Sequence, residues 1–185
     1  MPSVNEQQEI PELLNNRYQL LRELGRGTTG VVHTAWDHAL EREVAVKILH
    51  QDLIDNDEVT TRFDQEVRVS ARLQHPGLVA VFERCDLPGG RLGYVMTQAI
   101  GDDLRSVIDR WVDDPLHWQH VNLVDRLTLF AKILDVIAYA HDEGVVHRDL
   151  KPANIVLGQH GEVWVIDWGL ARVLREPELP PDLER

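Results

Sequence analysis

Cysteine is almost missing from this chain. Cys85 stands alone, so no disulfide can close within the sequence and packing must hold the fold. A lone thiol of this kind reads as a small buried hydrophobe and suits a reducing, cytoplasmic setting. Basic residues are scarce as well: 19 Lys and Arg face 31 Asp and Glu, for a formal net charge of -12. Such a surface repels polyanions, which argues against a nucleic-acid binder and requires any bound phosphate to be held locally. Long apolar runs are also missing. The most apolar long window, residues 123–141, is broken by Asp125, Arg126, Lys132 and Asp135. Their spacing leaves one polar stripe on a helix, so the window reads as a core helix and no membrane span is expected. The opening segment, residues 1–16, is acidic and polar where a secretory signal would be basic and then apolar. There is no internal repeat and no low-complexity tract.

What remains is enough for a folded core. The chain has 185 residues, of which 43% are hydrophobic and 27% charged, the proportions of a globular protein of one domain or of a small domain joined to part of another. Residues 18–24, 31–37 and 43–49 read as three strands joined by a glycine turn and a polar connection, hence antiparallel neighbours. Residues 57–74 read as a helix, with Phe63, Val67 and Leu73 at helical spacing, stopped by Pro76 and Gly77. Residues 78–85 and 91–98 add two strands across a proline-glycine turn, giving five antiparallel strands and one helix. Beyond residue 101 the character turns helical, with helices at 104–111 and 121–142 and Gly144 marking the end of the second. Three short apolar runs follow, at 144–147, 154–158 and 162–168.

Four constellations carry chemistry. The first is "GRGTTG", with Gly25, Arg26, Gly27, Thr28, Thr29 and Gly30 between two strands, where missing side chains let backbone N–H groups approach an anion. A dinucleotide fingerprint has a helix after its glycines, whereas β-branched residues follow here, and alone the pattern equally suits a plain hairpin turn. The second is "VAVKIL", which sets Lys47 on a strand face shared with Ala45 and Leu49, an unusual place for a charge. Glu66 on the next helix is a natural partner, although a lysine snorkelling from a sheet edge fits the same letters. The third is "HRDLKPAN", which gathers His147, Arg148, Asp149, Lys151 and Asn154 in a loop that Pro152 keeps from becoming a regular helix. The fourth is Asp167 in "VIDWG", after an apolar run. A carboxylate and an amide oxygen entering one cleft from two loops suit a hard cation such as Mg²⁺.

The order of these segments, "GRGTTGVV", "VAVK", Glu66, "HRDLKPAN" and "DWG", resembles the eukaryotic-like (Hanks-type) protein serine/threonine kinases over residues 18–174. The resemblance implies an α+β, protein-kinase-like fold: a flexible tail at 1–16, a sheet-and-helix N-lobe at 17–99, a partial helical C-lobe at 100–174 and a disordered tail at 175–185. It also implies ATP and Mg²⁺ as cofactors and a Ser/Thr hydroxyl of a protein as acceptor. Gly25 to Gly30 would cover the phosphates, with Leu24 and Val32 against the base or ribose. Ala45 and Val156 would sandwich the adenine, with Met96 as gatekeeper and backbone groups of Thr97 to Ala99 at its edge. Lys47, kept by Glu66, would hold the α and β phosphates, and Asn154 and Asp167 the metal. Asp149 would orient the acceptor hydroxyl and take its proton, while Lys151 neutralises the transferred phosphate.

Two departures from the family pattern stand out. Trp168 replaces the usual Phe and brings an N–H that needs a partner when buried. Residues 170–185 contain no Ser, Thr or Tyr and no A-P-E motif, so the chain reads as truncated within the activation segment, leaving Arg148 without its usual phosphate partner. The helix at 121–142 is then expected to expose an apolar face on which a second copy or another partner would dock. Two alternatives stay open: a non-catalytic ATP-binding scaffold, and a small-molecule phosphotransferase of related fold.

Overall fold

The computed structural model describes residues 13–87, 90–113 and 122–175. The chain divides into two compact units, Met1–Asp55 with Glu83–Gln98, and Asn56–Phe82 with Ala99–Arg185.

The first unit is built on an antiparallel sheet. Its strands are β1 (Leu13–Leu14), β2 (Tyr18–Arg26), β3 (Gly30–Asp37), β4 (Arg42–Leu49), β5 (Val81–Leu87, whose first two residues belong to the other unit) and β6 (Arg91–Met96), in the order β1-β2-β3-β4-β6-β5. The five expected strands are all present, and β1 is an addition. At the end of the segment expected as a flexible tail, Leu14 of β1 pairs with Tyr18 and is 2% exposed. The rest of that tail lies outside the described residues. Alternation along β3 and β4 sends Ala35, Val44, Val46 and Ile48 into a core with Leu14, Tyr18, Cys85, Leu87 and Val95. Each larger side chain in it contributes about 1.5–3 kcal/mol by burial. The lone cysteine is therefore a core residue, as its chemistry predicted. At the end of β3 the fully buried carboxylate of Asp37 accepts from Arg17 Nε at 2.7 Å and Nη2 at 2.8 Å, and from the amides of Ala39 and Leu40. The Arg17 bonds hold its carboxyl below the usual range despite burial.

The second unit begins with helix α1 (Asp57–Arg72). Asn56 caps it by accepting from the amides of Glu58 and Val59, and Asp57 and Glu58 favour the positive end of the helix. Its buried residues are Phe63, Glu66 and Val69, so the inward stripe runs through Val69 where Val67 was expected. Sequence pattern had placed this helix with the sheet, but it clusters with the second unit. The cause is specific. Val69 and Leu73 share a core with Val136, Ala140, Val145, Val165, Trp168 and Ala171. Gln65 Nε2 donates to Ala171 O at 2.9 Å, and Arg72 donates to the carbonyls of Arg175 and Glu143.

Two further helices follow, α2 (Leu104–Asp113) and α3 (Leu123–Asp142). Gly144, at φ 72°, ends α3 in the left-handed conformation that favours glycine. Around them lie short strands: β7 (Asp102–Asp103), β9 (Ile155–Leu157) and β10 (Val163–Val165) in one sheet, β8 (Val145–Val146) and β11 (Arg172–Val173) in another. The two short sheets fix where the loops between them emerge. Ile133 and Val136 of α3 are buried, whereas Leu123, Val124, Leu127, Phe130 and Leu134 are 49–69% exposed. No helix among the described residues is long and apolar enough to cross a membrane.

Candidate active site

In the second unit, residues 147–154 link β8 to β9 through a 3₁₀ turn, Pro152–Asn154. Proline at its start presets φ and needs no partner for a missing N–H. Three side chains converge there. Lys151 Nζ donates to Asp149 Oδ2 at 2.7 Å, while Asn154 Nδ2 donates to Asp149 O at 2.8 Å and Oδ2 at 3.1 Å. The bond from Lys151, followed by that from Asn154, holds the Asp149 carboxyl below its ordinary range, and the same pair raises the Lys151 ammonium. Asp149 is thus a carboxylate at neutral pH with one oxygen already oriented. Arg148 beside it sits at φ 69°, a costly conformation for a non-glycine residue.

His147 is 2% exposed and joins this loop to the next. The Asp149 amide donates to its Nδ1, so the ring proton lies on Nε2, which donates to Ile166 O at 3.1 Å. Burial pushes the imidazole below its ordinary value, and the ring is neutral. Ile166 in turn donates its amide to Asn154 O at 2.9 Å. Asp167 follows at φ 63°. A Cβ built on Gly169 would lie 3.3 Å from Glu66 Oε2 and 3.4 Å from Asp167 Oδ1. Two carboxylates therefore flank this glycine, one from α1 and one from the loop. Trp168, 4% exposed, lays its ring against His147 with centroids 4.5 Å apart and donates Nε1–H to Val165 O at 3.2 Å.

In the first unit the glycine segment joins β2 to β3. Gly27 N bonds Gly30 O at 2.9 Å, and His50 reaches Gly27 O through Nε2. None of the three glycines has positive φ, so they serve by leaving space. A Cβ on Gly30 would lie 2.3 Å from Ile48 O, whereas one on Gly25 would meet nothing within 4 Å. Lys47 stands in register between Val32 and Tyr94, with its ammonium 6.0 Å from the Tyr94 ring centroid. Ala45 pairs with Met96 on β6, next to Thr97. Leu24 is exposed on β2; Ala45 and Val156 are buried, each in its own unit. Lys47 and Glu66 belong to different units.

The residues in the second unit fit a magnesium ion. Asn154 spends Nδ2 on Asp149, so the ligand it offers is Oδ1, and Asp167 offers a carboxylate. Both are hard oxygen donors. No group of three or more His, Cys, Asp or Glu able to hold a metal occurs among the described residues. Mg²⁺ takes one or two carboxylates and completes its shell with phosphates and water. Sequence reasoning missed Tyr94 opposite Lys47, the double role of His147 and the grip of Gln65 on Ala171. Strand register and loop closure create all three, and neither is readable from local letters.

The chain belongs to the protein kinase family: the protein kinase domain matches residues 18–182. It is similar to the serine/threonine-protein kinase PknD of Protochlamydia amoebophila, 33% identical over 181 residues that cover 94% of this chain and 18% of that protein. The enzymes of the same name from Chlamydia muridarum and Chlamydia caviae are 39% identical over 167 residues and 38% over 159. These alignments cover 88% and 84% of this chain, but 18% and 17% of the relatives. The chain thus spans less than a fifth of the length of the relatives it matches. The expected family and fold class hold. Members of the family generally use ATP and Mg²⁺.

Proposed function

We propose that this chain carries the Mg-ATP site and catalytic loop of a protein serine/threonine kinase. The observation that carries this reading is the Asp149–Lys151–Asn154 cluster, joined to the Asp167 loop through Ile166 and Asn154. Asp149 orients the acceptor hydroxyl and takes its proton as the oxygen attacks the γ-phosphorus and the bond to the ADP oxygen breaks. Lys151, already on Asp149, places its charge beside the transferred phosphoryl group. Asn154 and Asp167 would hold Mg²⁺, which when bound would offset phosphate charge. In the first unit Gly25 to Gly30 would cover the phosphates, Lys47 would hold the α and β groups, and Leu24, Val32, Ala45, Met96 and Thr97 would meet the nucleoside.

The exposed apolar face of α3 favours a second reading, a nucleotide-binding module that serves as a partner surface. One assay separates the two: phosphate transfer from ATP to a mixture of serine- and threonine-containing peptides, with wild type and Asp149→Asn. Transfer that the substitution abolishes supports the kinase. Nucleotide binding without transfer in either protein supports the module.

A further inference from the structure

The two residues before Asp167 have their carbonyls held by two side chains whose rings pack against each other at a tilt of 59°. His147 Nε2 holds Ile166 O at 3.1 Å, Trp168 Nε1 holds Val165 O at 3.2 Å, and the rings lie 4.5 Å apart. The acceptor in the second bond does not move freely. Val165 is fully buried at the end of β10 and donates its own amide to Gly77 O at 2.9 Å. The indole bond therefore closes a four-residue ring, Val165 to Trp168, onto a fixed strand. Inside that ring sit Ile166, whose amide is committed to Asn154 O, and Asp167 in its left-handed conformation. A left-handed aspartate has extended alternatives of lower intrinsic energy, so something must keep it there. A phenylalanine at 168 could pack against His147 but has no N–H to offer.

We propose that Trp168 is a positioning residue: its indole N–H latches the 165–168 turn to β10 and so holds Asp167 in the left-handed conformation from which its carboxylate, with the Asn154 amide oxygen, would bind Mg²⁺. The latch rests on the assignment of Asp167 and Asn154 as metal ligands. It acts on the metal and not on the nucleoside, so its loss separates two affinities that a general loss of structure would lower together. In Trp168→Phe the ring contact with His147 remains while the Val165 carbonyl loses its buried donor.

The test is titration of the 185-residue chain with a non-hydrolysable ATP analogue, with and without Mg²⁺, for wild type, Trp168→Phe and Asp167→Ala. The gain in analogue affinity from Mg²⁺ falls about tenfold in Trp168→Phe, while metal-free affinity stays within twofold. Backbone hydrogen exchange at residues 166–169 speeds up in that variant. A metal gain within twofold of wild type overturns the latch. Asp167→Ala separates the two levels of the argument: if it keeps the full metal gain, the ligand assignment fails; if it loses the gain and Trp168→Phe does not, only the latch fails. Should Trp168→Phe not fold, ¹⁵N-indole labelling of wild type decides, with the Trp168 signal identified by its contact with the His147 ring. A Trp168 Nε1–H that exchanges with water as fast as free indole overturns the latch, and a strongly protected one supports it.

Discussion

Ile166 donates its amide to the carbonyl of Asn154 at 2.9 Å, and this bond ties together the two loops that present the candidate metal ligands. Asn154 also holds Asp149, so residues 149, 154 and 166, the last next to Asp167, form one bonded unit inside a single compact body. The chemistry proposed for each depends on that unit, and each can be probed separately.

Asp149→Asn keeps the size of the side chain and removes its charge. Turnover is expected to fall by about 100-fold or more, the usual worth of a positioned base, with Mg-ATP affinity changed little. Lys151→Ala is expected to lower turnover as well and to let the Asp149 carboxyl rise toward its ordinary value, since the bond from Lys151 is the main cause of its depression. Phosphate-transfer rates and ¹³C NMR titration of the carboxyl check the two halves.

The glycines of the first turn divide by the space around them. Gly30→Ala puts a Cβ against Ile48 O, and overpacking of that kind costs about 1–3 kcal/mol. Gly25→Ala meets open space and should change stability by only about 0.5 kcal/mol, yet weaken ATP binding by narrowing the room over the phosphates. Urea unfolding and nucleotide titration of both variants give opposite rankings.

His147 sets a pH dependence. Burial depresses its folded value below the ordinary value of about 6.5. Below that ordinary value the unfolded chain takes up a proton that the folded chain refuses, so this contribution to stability is complete above about pH 6.5 and is lost as pH falls toward the lowered folded value. Protonation would also set a second N–H against the Asp149 amide at Nδ1. Urea midpoints at pH 7.5 and 5.5 should differ more for wild type than for His147→Asn. An equal loss in both proteins would remove His147 as the cause.

Much of the site was legible because its chemistry is local. Residues 147–154 lie in one short stretch, and Pro152 with Asn154 announces a turn that brings the acid, base and amide together. The strands were legible from alternation, as in Ala35 with Val44 and Val46. What could not be read depends on partners distant in sequence. Leu14 looks like part of a polar tail until it pairs with Tyr18. Helix α1 looks like part of the sheet unit because it follows β4, but Gln65, Val69 and Arg72 commit it to the segment after Asp167. Trp168 was visible as a donor in need of an acceptor; that the acceptor is Val165 O, three residues back, required the closed turn.

The central claim is that this chain binds Mg-ATP and that Lys47 and Asp167 are each required for it. Calorimetric titration with a Mg-bound, non-hydrolysable ATP analogue tests it most directly, using wild type, Lys47→Ala and Asp167→Ala. Saturable binding to wild type that weakens at least tenfold, about 1.4 kcal/mol, in each variant is the predicted result. Binding of wild-type strength in both variants would contradict it.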